Sequence, residues 1–381
     1  MSGDLEQDYF CDGVVEDIIT GLSRIKWLFV IARNSSFIYK GRVVDVKQVG
    51  RELGVRYVLE GSVRRAGNRV RITCQLIEAH TGAHLWAERY DRPLDDIFAL
   101  QDEVTLAVIG AIEPSLRAAE IDRIKRRRPD NLDANDLLLR AISADMSMPE
   151  GVAKAIPFLE QSLELQPGYA RAHGHLAMCH HTLYLRGGLR EENRRAAIQH
   201  AHAAIANGQD DSTALTLAGF VIGMDEHDRA AASQAFETAL ALSPSSAFTY
   251  LIGSVVFGWG GQADRAIEWS ERALRLSPFD AWNWFPCHAL ALGHFSLGHY
   301  QDAAAAARKA IQLNPGFSMS HMLLAASLVK AGRLEEAKSA AARVLELQPS
   351  YKFGKHFAGV DCAPALAASL SDALRTAGLP E

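Results

Sequence analysis

The sequence predicts an α+β domain followed by an all-α solenoid of paired helices. Apolar patterning carries the first half of that reading: helix and strand periods alternate up to about residue 127, and only helical periods follow. Alanine carries the second, with 10 among residues 1–129 and 49 among residues 130–381. A proline-ended tail that recurs every thirty-odd residues completes it. Hydrophobic residues make up 48% and charged residues 22%, which excludes a largely disordered chain. The net charge of −5 divides into +1 for residues 1–129 and −6 for the rest, so no basic nucleic-acid-binding domain is expected.

In the first part, Glu16 to Ile25 reads as a helix with Val14, Val15, Ile18, Ile19, Leu22 and Ile25 on one face. The run Trp27 to Ala32 is continuously apolar, as a strand covered on both faces would be. Asp45 to Leu53 is a short helix, with Asp45 as N-cap and Gly54 just past its end. Three strands follow as a meander: Arg56 to Arg65, Arg69 to Glu78 and Ala83 to Tyr90, joined by Ala66-Gly67-Asn68 and Thr81-Gly82. A last helix runs from about Leu94 toward Arg127, ahead of Pro129. These elements predict one mixed sheet with helices packed on it. The domain is placed at residues 1–122, and a basic linker or helix end at 123–130.

Residues 131–350 divide into six helix pairs. Their ends fall at Pro167, Gln209, Pro244, Pro278, Pro315 and Pro349, spaced 42, 35, 34, 37 and 34 residues apart. That is the period and residue logic of the tetratricopeptide repeat, in which small residues sit where helices A and B approach. In the fourth unit these are Ala266, Ser270 and Ala273; in the fifth, Ala303, Ala307 and Ala310; in the sixth, Ala325, Ala337, Ala341 and Val344. Residues 351–381 leave the period, and a helical segment from Ala363 to Ala377 is expected to cap the stack.

Chemistry-bearing groups are sparse. Cysteines 11, 74, 179, 287 and 362 are too far apart in sequence for a CxxC pair, and reduced thiols in the cytoplasm are expected. The acidic run Met1 to Glu6 lacks the basic-then-apolar pattern of a secretion signal, and two charge-free stretches, Thr238 to Ala263 and Ala281 to Gln301, are broken by prolines, serines or histidines. No membrane span is expected. Histidines gather as His173, His175, His180 and His181, with His200 and His202 on the next helix. His173 and His180, seven apart on one helix face, are the metal candidates, though a surface or packing role is the favoured reading and no metal site is assigned. The basic run at 123–128 reads as a solvated helix end that complements the helix dipole. Asp95-Asp96 and Asp102-Glu103 read as charges of a first helical turn. No phosphate loop, nucleophile elbow or acid–base–nucleophile set is found, so neither a cofactor nor an enzymatic role is expected.

The repeats instead predict a groove lined by helix A. Its residues are Phe248, Leu251, Val255 and Gly258 in the fourth unit, and Phe285, His288, Leu292 and Phe295 in the fifth. In the sixth they are Met319, Met322, Ala326 and Val329. An apolar groove of this kind suits an amphipathic peptide or helix of a protein partner, or is filled by another part of the same assembly; a homo-oligomer is also open.

The first part resembles the TolB amino-terminal-like domain found beside tetratricopeptide arrays. The resemblance runs through Tyr9-Phe10-x-Asp12-Gly13, Glu16 to Thr20, Trp27 to Ser36, Gly54 to Arg65 and Gly82 to Asp91. With the repeats it is similar to the regulatory rear half of rhizobial-type class III adenylate cyclases, and less so to that of winged-helix transcription regulators. The resemblance implies a non-catalytic regulatory or scaffold role in signalling. It leaves two alternatives: a chain that joins in cyclic-nucleotide synthesis only with a separate catalytic domain, or the rear half of a transcription regulator. It also implies that a first apolar strand of the domain, and a cyclase domain before it, are missing ahead of Met1.

Overall fold

The computed structural model describes residues 5–25, 28–42, 44–66, 69–93, 97–125, 132–144, 146–278 and 280–381. The chain divides into two compact units, residues 1–122 with 243–245, and the remainder.

The first unit runs α1 (Leu5–Ser23), α2 (Arg33–Ser36, continued by a 3-10 turn, Phe37–Tyr39), α3 (Val46–Leu53), β1 (Tyr57–Ala66), β2 (Arg69–Glu78), β3 (Ala83–Pro93) and α4 (Ile97–Lys125). Asp45 caps α3 by accepting the Lys47 N–H at 3.0 Å, and Gly54 closes it at φ 65°. The strands form an antiparallel sheet in the order β1-β2-β3, with Val63 opposite Ile72 and Ile72 opposite Tyr90. Alternation along β2 makes the sheet one-sided. Val70, Ile72, Cys74 and Leu76 are buried against Val14 and Ile18 of α1 and Leu100, Val104, Val108 and Ile112 of α4. On the other face, Arg69 and Arg71 clasp Asp91 at 2.6 and 2.7 Å. Hydrogen bonds from Arg71 and then Arg69 hold the Asp91 carboxyl down to about 2.

Four sequence expectations change. Helix α1 begins at Leu5, a full three turns before Glu16. The apolar run ending at Ala32 is not a strand over its described part, 28–32, and Phe29 is 84% exposed. A strand requires a neighbour for its N–H and C=O groups, and the described sheet ends at β1 and β3. For the same reason the sheet is wholly antiparallel among the described residues, not mixed. Asp102 and Glu103 lie beyond the first turn of α4, where Glu103 pairs with Arg92 at 2.7 Å. Trp27, Gly67, Asn68, Leu94, Asp95, Asp96 and residues 126–131, with Pro129, lie outside the described residues.

The second unit is a stack of helix pairs: α5 (Ala134–Ile142) with α6 (Pro149–Leu165), α7 (Ala170–Arg186) with α8 (Glu191–Asn207), α9 (Ser212–Val221) with α10 (Arg229–Leu242), α11 (Ala247–Trp259) with α12 (Ala263–Leu276), α13 (Trp284–Ser296) with α14 (Tyr300–Leu313), and α15 (Ser318–Lys330) with α16 (Leu334–Leu347). The small residues sit where the pattern requires: Ala266, Ser270, Ala303, Ala307, Ala310, Ala325 and Ala337 are all fully buried. Two short helices close the chain, α17 (Phe353–Gly359) and α18 (Pro364–Ala377), and Leu366, Leu370 and Leu374 of α18 join the core.

Candidate interaction face

From the second pair to the fifth, helix A meets helix A of the next pair through a repeated device. A glycine on one helix receives a branched side chain from its successor. A Cβ on Gly174 would lie 3.0 Å from Leu217, one on Gly223 2.6 Å from Val256, and one on Gly258 3.1 Å from Leu292. A Cβ at Gly223 would force Val256 to shift, and at Gly174 and Gly258 the facing leucine would have to give by a few tenths of an ångström.

This packing decides where the expected groove residues go. Leu251, Val255, Phe285, His288, Leu292, Phe295, Met319, Met322 and Ala326 are all buried in the core, and Phe248 and Val329 are half-buried against it. They are therefore not the lining of an open groove in this structure. Offsets along helix A that would face solvent in a looser superhelix here meet the next helix A or the end of the chain.

The end of the chain occupies this face itself. Trp259, at the end of α11, packs on His356 and Phe357 of α17 with ring centroids 5.6 and 6.1 Å apart, and its carbonyl accepts the Ala363 N–H at 2.9 Å. Arg229, which opens α10, donates to the Asp361 carboxylate at 2.6 Å, to the Val360 carbonyl at 3.2 Å, and to the Asp361 carbonyl. Gly359 sits so close to the connection between α7 and α8 that a Cβ there would lie 3.1 Å from Leu189. Its carbonyl faces His227 Nε2 at 3.4 Å. The backbone is strained at this seat. Leu189, His227 and Asp361, at φ 57°, 67° and 50°, are the non-glycine residues in the left-handed region among the described residues, and all three belong to it.

Polar groups gather behind the seat. Helix α9 ends in a π turn, Ile222–Glu226, which carries the fully buried Asp225. Asp225 Oδ1 is 2.7 Å from Nδ1 of buried His181, and Arg194 Nε donates to the Asp225 carbonyl at 2.6 Å. Asp225 Oδ2, His356 Nε2 and the Tyr351 hydroxyl are buried without hydrogen-bond partners. Burial, and then the nearby cations and imidazoles, hold His288 and His356 each down to about 3, so both are neutral.

Of the metal candidates, His173 and His180 both approach His200 of α8, with ring centroids 5.2 and 5.8 Å away. His173 Nδ1 lies 2.9 Å from His200 Nδ1, and its Nε2 lies 2.9 Å from the Pro167 carbonyl. Burial, followed by His173 and His180, lowers His200 to about 4. These histidines make contacts with one another across the α7–α8 boundary. Arg229 and Asp361, which bind the chain end, carried no signal in the sequence beyond their charges. They are 132 residues apart, outside any helical or hairpin period.

Comparison with known proteins bears on this unit. Residues 224–281 match the model described as tetratricopeptide repeat, and residues 259–344 match the model described as anaphase-promoting complex, cyclosome, subunit 3. Residues 224–281 of the stack are thus similar to the tetratricopeptide repeat, and the six helix pairs form a solenoid. Putative adenylate cyclase 3 of Rhizobium meliloti (strain 1021) is 49% identical over 222 residues, which is 57% of this chain and 38% of that protein. The chain thus spans well under half the length of this curated relative. Among solved structures, a human IFIT1 dimer with m7Gppp-AAAA is similar over 66% of this chain and 61% of its own, at 16% identity and a TM-score of 0.48. The Cut9–Hcn1 hetero-tetramer of the anaphase-promoting complex is similar over 73% of this chain and 49% of its own, at 15% identity and a TM-score of 0.45.

Proposed function

We propose that this chain is a non-catalytic regulatory and interaction module of an adenylate cyclase-type signalling protein. The observation that carries the reading is the 49% identity to a minority of a longer protein named as an adenylate cyclase. The rest of the chain supports it. Stacked helix pairs bury their apolar faces on one another and present a long surface to protein or peptide partners. The front unit, with its likeness to the TolB amino-terminal-like domain, is a one-sided sheet whose arginines and Asp91 face outward. No arrangement of acid, base and nucleophile emerges among the described residues. A partner peptide that uses the helix A face must displace residues 351–363, and a partner that does not must use the helix B surface.

The test uses the longer relative. Cyclic-nucleotide formation from ATP and manganese is measured for that protein, for the same protein without its matching region, and for this chain alone. The expected result is no product from this chain and a severalfold change in rate when the region is removed. Product from the chain alone, or a rate indifferent to the deletion, overturns the reading.

A further inference from the structure

The fifth pair holds a constellation that the regulatory reading does not use. His294 lies in the last turn of α13, His299 is the N-cap of α14, and Asp302 is in its first turn. The turn between the helices fixes their spacing. Gly298 adopts φ 78°, and the His299 N–H donates to the His294 carbonyl at 2.9 Å. The ligating atoms of the three side chains all lie within 4.8 Å of one another. The Nδ1 atom of His294 is buried and has no hydrogen-bond partner. His294 thus brings a buried, unpaired imidazole nitrogen on a ring whose centroid lies 6.1 Å from that of His299.

We infer that His294, His299 and Asp302 form a binding site for one divalent transition-metal ion, with zinc(II) the favoured ion. Two imidazole nitrogens and one carboxylate oxygen suit zinc, cobalt or nickel, whereas calcium and magnesium take oxygen ligands alone. Zinc bonds of about 2.0–2.2 Å place tetrahedral ligand atoms about 3.4 Å apart. The three groups must therefore close by up to about 1.4 Å. His299 and Asp302 are exposed and can turn on their own side chains to do so. Water completes the shell. The histidines of α7 and α8 lack this chemistry, because His173 and His200 turn nitrogens toward each other and His173 spends its second nitrogen on the Pro167 carbonyl. Bound metal would fasten helix A of the fifth pair to its helix B.

The test uses the full chain, freed of metal with EDTA and titrated with zinc chloride by calorimetry at pH 7.5. The expected result is saturable binding of one ion per chain, with a rise in melting temperature. Cobalt(II) in place of zinc should give the visible absorption of a four-coordinate site. His299→Ala and Asp302→Asn, both at exposed positions, should each lower affinity at least about tenfold and abolish the melting shift, while His173→Ala binds as the parent does. An absent isotherm in the parent, unchanged binding in both variants, or loss of binding in His173→Ala overturns the site.

Discussion

His356 shows how one residue links burial to pH. Its ring is held between Trp259 and Tyr351, and its Nε2 is buried without a partner. An unfolded chain protonates histidine near 6.5, whereas His356 and His288 in the fold resist protonation down to about 3. Between those values the unfolded state binds more protons, so stability rises with pH across that window. It is fully present above about 6.5 and is lost as pH falls toward 3. Each fully neutral histidine contributes a slope of up to about 1.4 kcal/mol per pH unit. His356→Leu removes one titrating group and one unpaired nitrogen together. Urea unfolding between pH 5 and 7.5, where most carboxylates stay ionised, should therefore give a slope shallower by up to one proton, with no loss of stability at pH 7.5. An unchanged slope would show that His356 is charged or solvated in the fold. Little of this was legible in the sequence. A histidine at 356 follows the last repeat, and no period says whether such a tail lies in solvent or in the core. The alanines of the B helices were legible, because a small residue recurring at a fixed offset has one common cause, close helix approach.

At the level of elements, the helix pairs could be read and the groove could not, for one reason. Pair formation is local: Ala303 and Ala307 meet their own helix A a turn away, so the period reports it. How one pair leans on the next depends on glycines such as Gly174 and Gly258, which occur once per contact and look like any other glycine in sequence. The strand expected from the run at 27–32 failed similarly, since apolar composition does not supply a partner strand. The seat of α17 is the element-level feature with a measurable consequence. Arg229 makes three of its hydrogen bonds, and Asp361 in the segment it holds carries backbone strain on the order of 1 kcal/mol. The Arg229–Asp361 pair is partly solvent-exposed, so its own share is at most about 1 kcal/mol. The two carbonyls that lose a donor raise the expected cost of Arg229→Ala to about 1–3 kcal/mol. Hydrogen exchange should show residues 351–361 losing protection while α15 and α16 keep theirs. Equal protection in the variant would mean that ring packing on Trp259 alone holds the segment.

At the scale of the whole unit, a stack of pairs must end, and its last apolar face must be covered. Helix α18 does this. Leu370 and Leu374 are fully buried and Leu366 nearly so, all within the same core cluster as Met322 and Leu323 of α15 and Val344 of α16. Gly378 then terminates the helix at φ 90°, and Phe353 ties the segment together by donating its N–H to the Pro380 carbonyl at 3.1 Å. Because each pair contacts mainly its neighbours, losing the cap should fray the stack from this end rather than melt it at once. Leu370→Glu places a charge at a fully buried position in the apolar core, a change expected to cost at least about 3 kcal/mol locally. Two readouts follow. Exchange protection should fall first in α15 and α16 and last in α7 to α10. Size-exclusion chromatography should show self-association that deepens with concentration, as uncovered faces of two chains meet. If the variant instead unfolds in one step with every helix exposed together, the stack behaves as a single cooperative body, tied through the chain end at Arg229 and Trp259 rather than from neighbour to neighbour.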